Sequence, residues 1–409
     1  MGVLLFLLVW FSMLAAGFWY AGRRLSPAGR LSAAGKKTRR AILILLFALS
    51  QAHVLLLMAG HESALSDWFA WPGYVMLGAL SVLVTMLAFR DAALAAYAIA
   101  HNAIARVRRR GPANAPAPPV GSVDRRAFLV RSSNLALLAL TGCAGAYGFA
   151  EAQHGLAIER VRVPVRGLPG AFEGFRIAQF TDLHAGPTIK RPFIEKVASL
   201  VTSLNPDLIA CTGDLADGTP AWLGRELEPL RGLAAPYGKY FVTGNHEYYS
   251  DAPAWILEAE RLGFTALMNA HRVIEKQGAR MVVAGVTDYG AGDFFPEQES
   301  DPEGALRGAP GGVVKLLLAH QPRSLYAAAA AGYDVQISGH THAGQFFPWN
   351  LLVALSQPYI RGLHEFRGTR IYVSRGTGYW GPPLRLMTPP EVTLITLEPD
   401  EAGLTSAKI

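Results

Sequence analysis

Residues 3–20, 41–60 and 73–89 each run without a Lys, Arg, Asp or Glu. Each is close to the roughly 20 residues that an apolar helix needs to cross a bilayer. No other feature constrains the chain as strongly, because a helix apolar on all sides must be surrounded by lipid or by a large core. A fourth stretch, 128–150, carries Arg131 and Asn134 near its start and otherwise reads the same way. An all-α transmembrane region of about four helices is therefore expected. Residues 92–105, rich in alanine, either extend the third helix or lie along a surface.

Charge in the connecting loops orients these spans. Arg23, Arg24, Arg30, Lys36, Lys37, Arg39 and Arg40 lie between the first two with no acid among them, which marks that loop as cytoplasmic. The next loop holds only Glu62 and Asp67, and after the third span come Arg90, Arg106, Arg108, Arg109, Arg110, Arg125 and Arg126. The expectation is a multi-pass inner (plasma) membrane protein that delivers everything after about residue 155 to the periplasmic or extracellular side. From residue 151 onward there are 23 Lys and Arg against 27 Asp and Glu, so the overall charge of +7 resides in the membrane-proximal loops. That distribution argues against nucleic acid as a partner. The bilayer is the expected partner, and a transport path is not, since the spans hold almost no ionisable group.

Residues 125–143, "RRAFLVRSSNLALLALTGC", combine a twin arginine, an apolar core and Cys143 in the manner of an export signal. Placed after three spans, the segment reads as an uncleaved fourth helix. Residues 108–122, "RRRGPANAPAPPVGS", read as a spacer. The expected division is a membrane region and linker at 1–126, a fourth span or anchor at 127–154, and a catalytic domain at 155–409. The two cysteines, Cys143 and Cys211, define neither a disulfide framework nor a thiolate metal site.

Beyond residue 155 the pattern changes to short apolar runs separated by helical stretches at 193–204, 252–262 and 324–331, as in an α/β or layered α+β domain. Five runs end in metal-ligand residue types. "FRIAQF" leads to Asp182 and His184, "DLIAC" to Asp214 and Asp217, and "KYFVT" to Asn245 and His246; "VVKLLLA" leads to His320 and "YDVQIS" to His340 and His342. Strand ends facing one side let loops converge over a rigid sheet. In D-x-H and H-x-H on extended backbone, alternate side chains face the same way. Glycines before Asp214, Asn245 and His340 permit tight turns and a close backbone approach. Imidazole, carboxylate and amide donors without thiolate suit Mn, Fe or Zn.

The ordered set D-x-H, G-D-x-x-D, G-N-H-E, H and G-H-T-H, over about residues 158–398, closely resembles the calcineurin-like metallophosphoesterase family. With its membrane helices and the ending "VSRGTGYWGPPLRLMTPPEVTLITL", the chain looks like the membrane-associated branch, which includes twin-arginine-exported bacterial phosphodiesterases. The resemblance implies an αββα fold, a two-sheet β-sandwich flanked by helices, with two metal ions at the sheet ends. Asp182, His184 and His342 would hold one ion, Asn245, His320 and His340 the other, and Asp214 would bridge them. His246 would be the catalytic residue facing the substrate, to protonate the leaving oxygen or stabilise charge there, and Asp217 would orient a histidine from behind the ligands.

The implied activity is hydrolysis of a phosphate ester or diphosphate by metal-bound hydroxide, with a membrane-associated or lipid-linked substrate suggested by the anchor. Relatives of this branch are associated with UDP-2,3-diacylglucosamine hydrolysis in lipid A synthesis, a cytoplasmic reaction that the charge-derived topology disfavours. A non-catalytic metal-binding membrane sensor is the other alternative, and the complete ligand set weighs against it. Arg375, Trp380 and Arg385 lie in a Gly/Pro-rich loop where contact with phosphate and a purely structural role are equally open.

Overall fold

The chain is described from a computed structural model that covers residues 2–26, 32–108 and 123–400. The expected Pro/Ala spacer lies outside these residues from position 109 on. Two compact units form, one from residues 1–59 and 69–147 and one from 60–68 and 148–409.

The first unit is helical: α1 (Gly2–Leu25), α2 (Ala33–Met58), α3 (Ala64–Arg108) and most of α4 (Val123–His154). By length and composition Ala33–Met58, Ala64–Arg106 and Phe128–His154 can each cross a membrane, and α1 covers the first expected span. The alanine-rich stretch extends the third helix, which runs unbroken for 45 residues. Leu14, Phe18 and Ala21 of α1 pack with Leu77, Leu80 and Leu87 of α3. Asn134 has a structural use in α4: its amide donates to the carbonyls of Arg24 and Leu25, both at 3.1 Å, where α1 ends and carbonyls lack helical partners.

The second unit alternates strand and helix. Its elements are β1 (Ala157–Val165), β2 (Arg176–Phe180), α5 (Arg191–Ser203), β3 (Leu208–Cys211), α6 (Pro220–Leu223), β4 (Lys239–Phe241), α7 (Asn245–Ser250), α8 (Ala252–Arg261), β5 (Thr265–Ala266), β6 (Ala270–Lys276), β7 (Ala279–Gly285), β8 (Val314–Leu318), α9 (Leu325–Ala330), β9 (Val335–Ser338), α10 (Trp349–Ser356), β10 (Gly362–Phe366), β11 (Thr369–Val373) and β12 (Glu391–Pro399). They build two six-stranded mixed sheets, ordered β1-β12-β2-β3-β4-β5 and β10-β11-β9-β8-β7-β6. Strands β2 to β5 are mutually parallel, as are β7, β8, β9 and β11.

Period-two alternation makes the layers. Ile177, Leu208 and Ala210 point into the space between the sheets, where they meet Met281, Val283, Leu316, Leu318 and Ile337 of the second sheet. Their neighbours Ala178, Phe180, Ile209 and Cys211 point outward and pack on Ile194, Val197 and Val201 of α5 and Trp255 and Ala259 of α8. On the opposite outer face, Val282, Ala284 and Leu317 pack on Ala328 of α9. This is the expected αββα order. Strand β1 had no place among the expected apolar runs because Pro164 and alternating arginines disguise it; at the sheet edge, paired only to β12, a proline costs no ladder bond.

Trp255 ties α8 to the first sheet. Its ring is fully buried, and its indole N–H donates to the Gly218 carbonyl at 2.9 Å. Trp255→Ala is expected to destabilise the second unit by about 3–5 kcal/mol. The check is the unfolding transition of the detergent-solubilised full chain, with Trp255→Phe, which loses only the N–H and part of the ring, expected to fall between.

Candidate metal centre

All the expected ligand positions follow the C-terminal ends of β2, β3, β4, β8 and β9, the central strands of the two sheets. The backbone there departs from the extended form expected of D-x-H and H-x-H. Asp182 (φ 54°), His184 (50°), Asp214 (54°), His340 (72°) and His342 (49°) all occupy the left-handed region. For residues with a Cβ this conformation is uncommon and costs energy, and it tends to concentrate where a site needs it. The side chains converge because the chain coils sharply at each strand end, not because alternate residues of a strand share a face.

Two of the preceding glycines are there for close packing. A Cβ on Gly244 would collide with the Asp214 carboxylate, and one on Gly339 would collide with Asp182. Gly213 (φ 93°) meets both demands, since its Cβ would also lie 2.5 Å from the Gly244 nitrogen.

Two donor clusters result. In the first, Nε2 of His184 and Nε2 of His342 approach to 2.9 Å, with Asp182 Oδ1 3.4 Å from His342 Nε2. In the second, His340 Nδ1 lies 2.9 Å from Asn245 Oδ1 and 3.2 Å from His320 Nε2. Asp214 reaches both, its Oδ2 being 3.1 Å from His320 Nε2 and 3.8 Å from His184 Nε2. Asp182, His184 and His342, and likewise Asp214, His320 and His340, are groups able to hold a metal ion. His340 and His342, two residues apart, thus face different clusters.

The outer nitrogens set the tautomers. His320 Nδ1 has the Thr212 carbonyl at 2.7 Å, and a carbonyl can only accept, so the proton is on Nδ1 and the lone pair of Nε2 faces the cluster. His184 Nδ1 likewise donates to Asp217 at 2.8 Å. Burial holds the His340 pKa down at about 3, which keeps a ring lone pair available for a cation. Arg385, which can only donate, lies on His342 Nδ1, so the neutral His342 ring carries its proton on Nε2 and shares it with His184 Nε2 at 2.9 Å, in the place a cation would take. Nitrogen and oxygen donors gathered this closely therefore fit a pair of metal cations. Cys211 takes no part: it is buried in β3, and burial pushes its thiol pKa well up.

Asp217 stands behind the ligands, between His184 Nδ1 at 2.8 Å and His246 Nδ1 at 2.7 Å. His246 is placed beside the clusters, its backbone N–H donating to Asp214 Oδ1 at 2.9 Å. Burial alone would lower the His246 pKa, but the charges of Asp214 and Asp217 and the hydrogen bond to Asp217 raise it to about 9. The rings of Tyr249 and Trp380 approach that of His246 edge-on, at 5.1 and 5.7 Å between centroids.

Two residues here gain roles that the sequence left unassigned, for Glu247, or open, for Arg385. Glu247 accepts backbone N–H bonds from Gly244 at 2.6 Å, Leu215 at 2.7 Å and Asp214 at 2.9 Å, locking the β3 and β4 loops together. Its signal was the Glu of G-N-H-E, three residues after a helix start. Burial and the nearby Asp214 push its carboxyl up to about 8, against the pull of the three donors. Arg385 is fully buried behind His342, with Nη1 on the His342 carbonyl at 3.0 Å and Nη2 at 2.9 Å from its Nδ1. Arg375 instead pairs with Glu391 and, at 2.7 Å, with Glu159, away from the clusters.

Two outcomes are expected. Glu247→Gln presents an amide N–H where N–H donors already point, and should cost about 1–3 kcal/mol of stability and reduce metal retention, read by denaturation and elemental analysis. A His pKa of about 9 in the folded chain, against ~6.5 unfolded, stabilises fully below pH ~6.5 and is lost as pH rises through 9. The melting temperature of metal-stripped protein should therefore fall across that window, and less steeply in His246→Gln.

The profile of the calcineurin-like phosphoesterase family matches residues 175–344. A transmembrane protein with metallophosphoesterase domain from Danio rerio is 36% identical over 276 residues, 66% of this chain and 63% of that protein. The chain thus spans a little under two thirds of that relative's length. An uncharacterized metallophosphoesterase of Bacillus subtilis is 31% identical over 288 residues, 68% of this chain and 98% of that protein. One from Aquifex aeolicus is 32% identical over 256 residues, 62% of this chain and 96% of that one. Matched along nearly the full length of two bacterial metallophosphoesterases, and with metal-ligand side chains gathered at its sheet ends, this chain belongs to the calcineurin-like metallophosphoesterase family.

Proposed function

We propose that the chain is a membrane-anchored phosphoesterase with two metal ions, Mn, Fe or Zn, that hydrolyses a phosphate ester or diphosphate on a membrane-associated or lipid-linked substrate. The observation that carries this reading is the pair of donor clusters sharing Asp214, with His246 beside them. Asp182, His184 and His342 would hold one ion, Asn245, His320 and His340 the other. When bound, such ions supply an activated water and neutralise charge on phosphate oxygens. Asp217 keeps the His246 Nδ1 proton in place, so that the ring presents its other nitrogen. Charged up to about pH 9, His246 is in the right state to give a proton to a departing alkoxide or phosphate oxygen. Tyr249 and Trp380 flank its ring and limit water around it.

In this reading α1 to α4 are the anchor, and the arginine-rich loops favour a second unit on the outer face of the inner membrane. Supporting this, loop residues 60–68, expected outside, belong to the second unit: Glu62 accepts the Thr219 N–H at 2.9 Å and Asp67 pairs with Lys190 at 2.9 Å. Groups in such contact lie on the same side of a bilayer.

The test is purified full chain in detergent, stripped and reloaded with Mn, Fe or Zn, on chromogenic mono- and diesters and on lipid phosphates. Hydrolysis is expected with at least one metal. Asp214→Asn should abolish it and lower metal content, and His246→Gln should reduce turnover by about 10²–10⁴-fold with metal content unchanged. Silence on every substrate with every metal, with Asp214→Asn retaining its metal, would sink the proposal.

A further inference from the structure

Helix α10 starts seven residues after His342, and its sequence, WNLLVALS, carries no charge and buries none of its residues. Leu351 and Leu352 are more than half exposed and Leu355 is 84% exposed; Met387, in the Gly/Pro-rich loop, is likewise 84% exposed. Soluble surfaces rarely gather large aliphatic side chains in this way without a use for them.

What covers them follows from how they are held. Gln345, just before α10, has its side chain clamped to Trp380, donating to the carbonyl at 3.0 Å and accepting the N–H at 2.6 Å. Its carbonyl accepts the Leu386 N–H at 2.9 Å, so the start of α10 is fixed to the loop that bears Met387. That loop in turn rests on α4: the Arg385 N–H donates to the Gly148 carbonyl at 2.9 Å, and a Cβ on Gly148 would collide with Leu384. Gly148 lies inside the apolar stretch Phe128–His154, six residues or about 9 Å of helix from its end. The loop and α10 are therefore tied to the last turns of that apolar stretch. At the far end of α10, Arg323 Nε donates to the Ser356 carbonyl at 2.6 Å, placing a cation where headgroup phosphates would lie.

We infer that α10 and Met387 form a second, monotopic contact with the same bilayer that α4 crosses, seating Leu351, Leu352, Leu355 and Met387 among acyl chains beside the metal centre. This rests on the reading of α4 as a membrane anchor, and it gives that reading its substrate class: phosphate groups carried by lipids of the outer leaflet, entering along α10 without leaving the membrane surface.

The test uses full-length protein in Cys143→Ser background, with Leu355→Cys or Met387→Cys carrying an environment-sensitive fluorophore and reconstituted in phosphatidylcholine–phosphatidylglycerol vesicles. Leu257→Cys, on the exposed face of α8, serves as the aqueous control. Blue-shifted emission quenched by brominated lipid at 355 and 387, and not at 257, is the expected result; emission as water-like as at 257 overturns the contact surface. Release of the wild-type chain by alkaline carbonate would instead overturn the anchor. In a second arm, L351D/L355D/M387D should keep turnover of a soluble chromogenic diester within about twofold while losing about tenfold on phosphatidic acid or phosphatidylglycerol in vesicles. Equal loss on both substrates overturns the lipid-access role. Wild-type cleavage of the soluble diester alone overturns the lipid substrate while the fluorophores still decide the contact.

Discussion

The buried carboxylate of Asp214 is the element on which the candidate site depends. A carboxylate removed from water is expensive unless donors and cations surround it, and this one has both. It accepts the His246 backbone N–H and lies within 3.8 Å of imidazoles from each cluster. The opposing histidines hold its pKa well down despite burial, so it stays charged. Its position also fixes the loops around it: Gly244 can be only glycine because Asp214 fills the space where a Cβ would stand, and Glu247 must fold back to take the Asp214 N–H. The motifs that follow β3 and β4 are thereby explained by the need to build a cradle around one anion.

Much of this was legible in the sequence because strand ends announce themselves. Each parallel strand is a short apolar run, and when five such runs end in Asp, Asn or His, a shared face is the economical account. The division between His340 and His342 lay within reach of the family resemblance, and the distances put the two rings in separate clusters. The local geometry was not legible. D-x-H suggests alternation along an extended chain, whereas Asp182, His184, His340 and His342 all turn left-handed, a choice that tertiary packing imposes against local preference.

The roles that the sequence left unread share a physical reason. Glu247 and Arg385 act through backbone atoms of other segments, 33 and 43 positions away in sequence, and no local pattern records such a partner. Helix α10 escaped because eight residues without charge or periodicity look like one more core segment until their exposure is known. Strand β1 escaped because Pro164 belongs to an edge, and edges are defined by topology alone.

Arg385 also ties the end of α4 to the candidate site. Its backbone N–H holds the Gly148 carbonyl near the end of α4, while its side chain holds the carbonyl and ring of His342. A flexible tether would need no such residue, since it would only raise the local concentration of a self-sufficient domain near the membrane. Here one buried residue joins a candidate metal ligand, through its guanidinium, to the end of α4, through its backbone N–H. Burial draws its pKa down to about 10, partly offset by Asp182 and Glu391, so it remains charged at neutral pH. The compact unit that holds the site accordingly takes in residues 60–68 and 148–154 together with the expected catalytic domain. Residues 148–154, the end of α4, are thus part of the scaffold that positions the candidate metal centre.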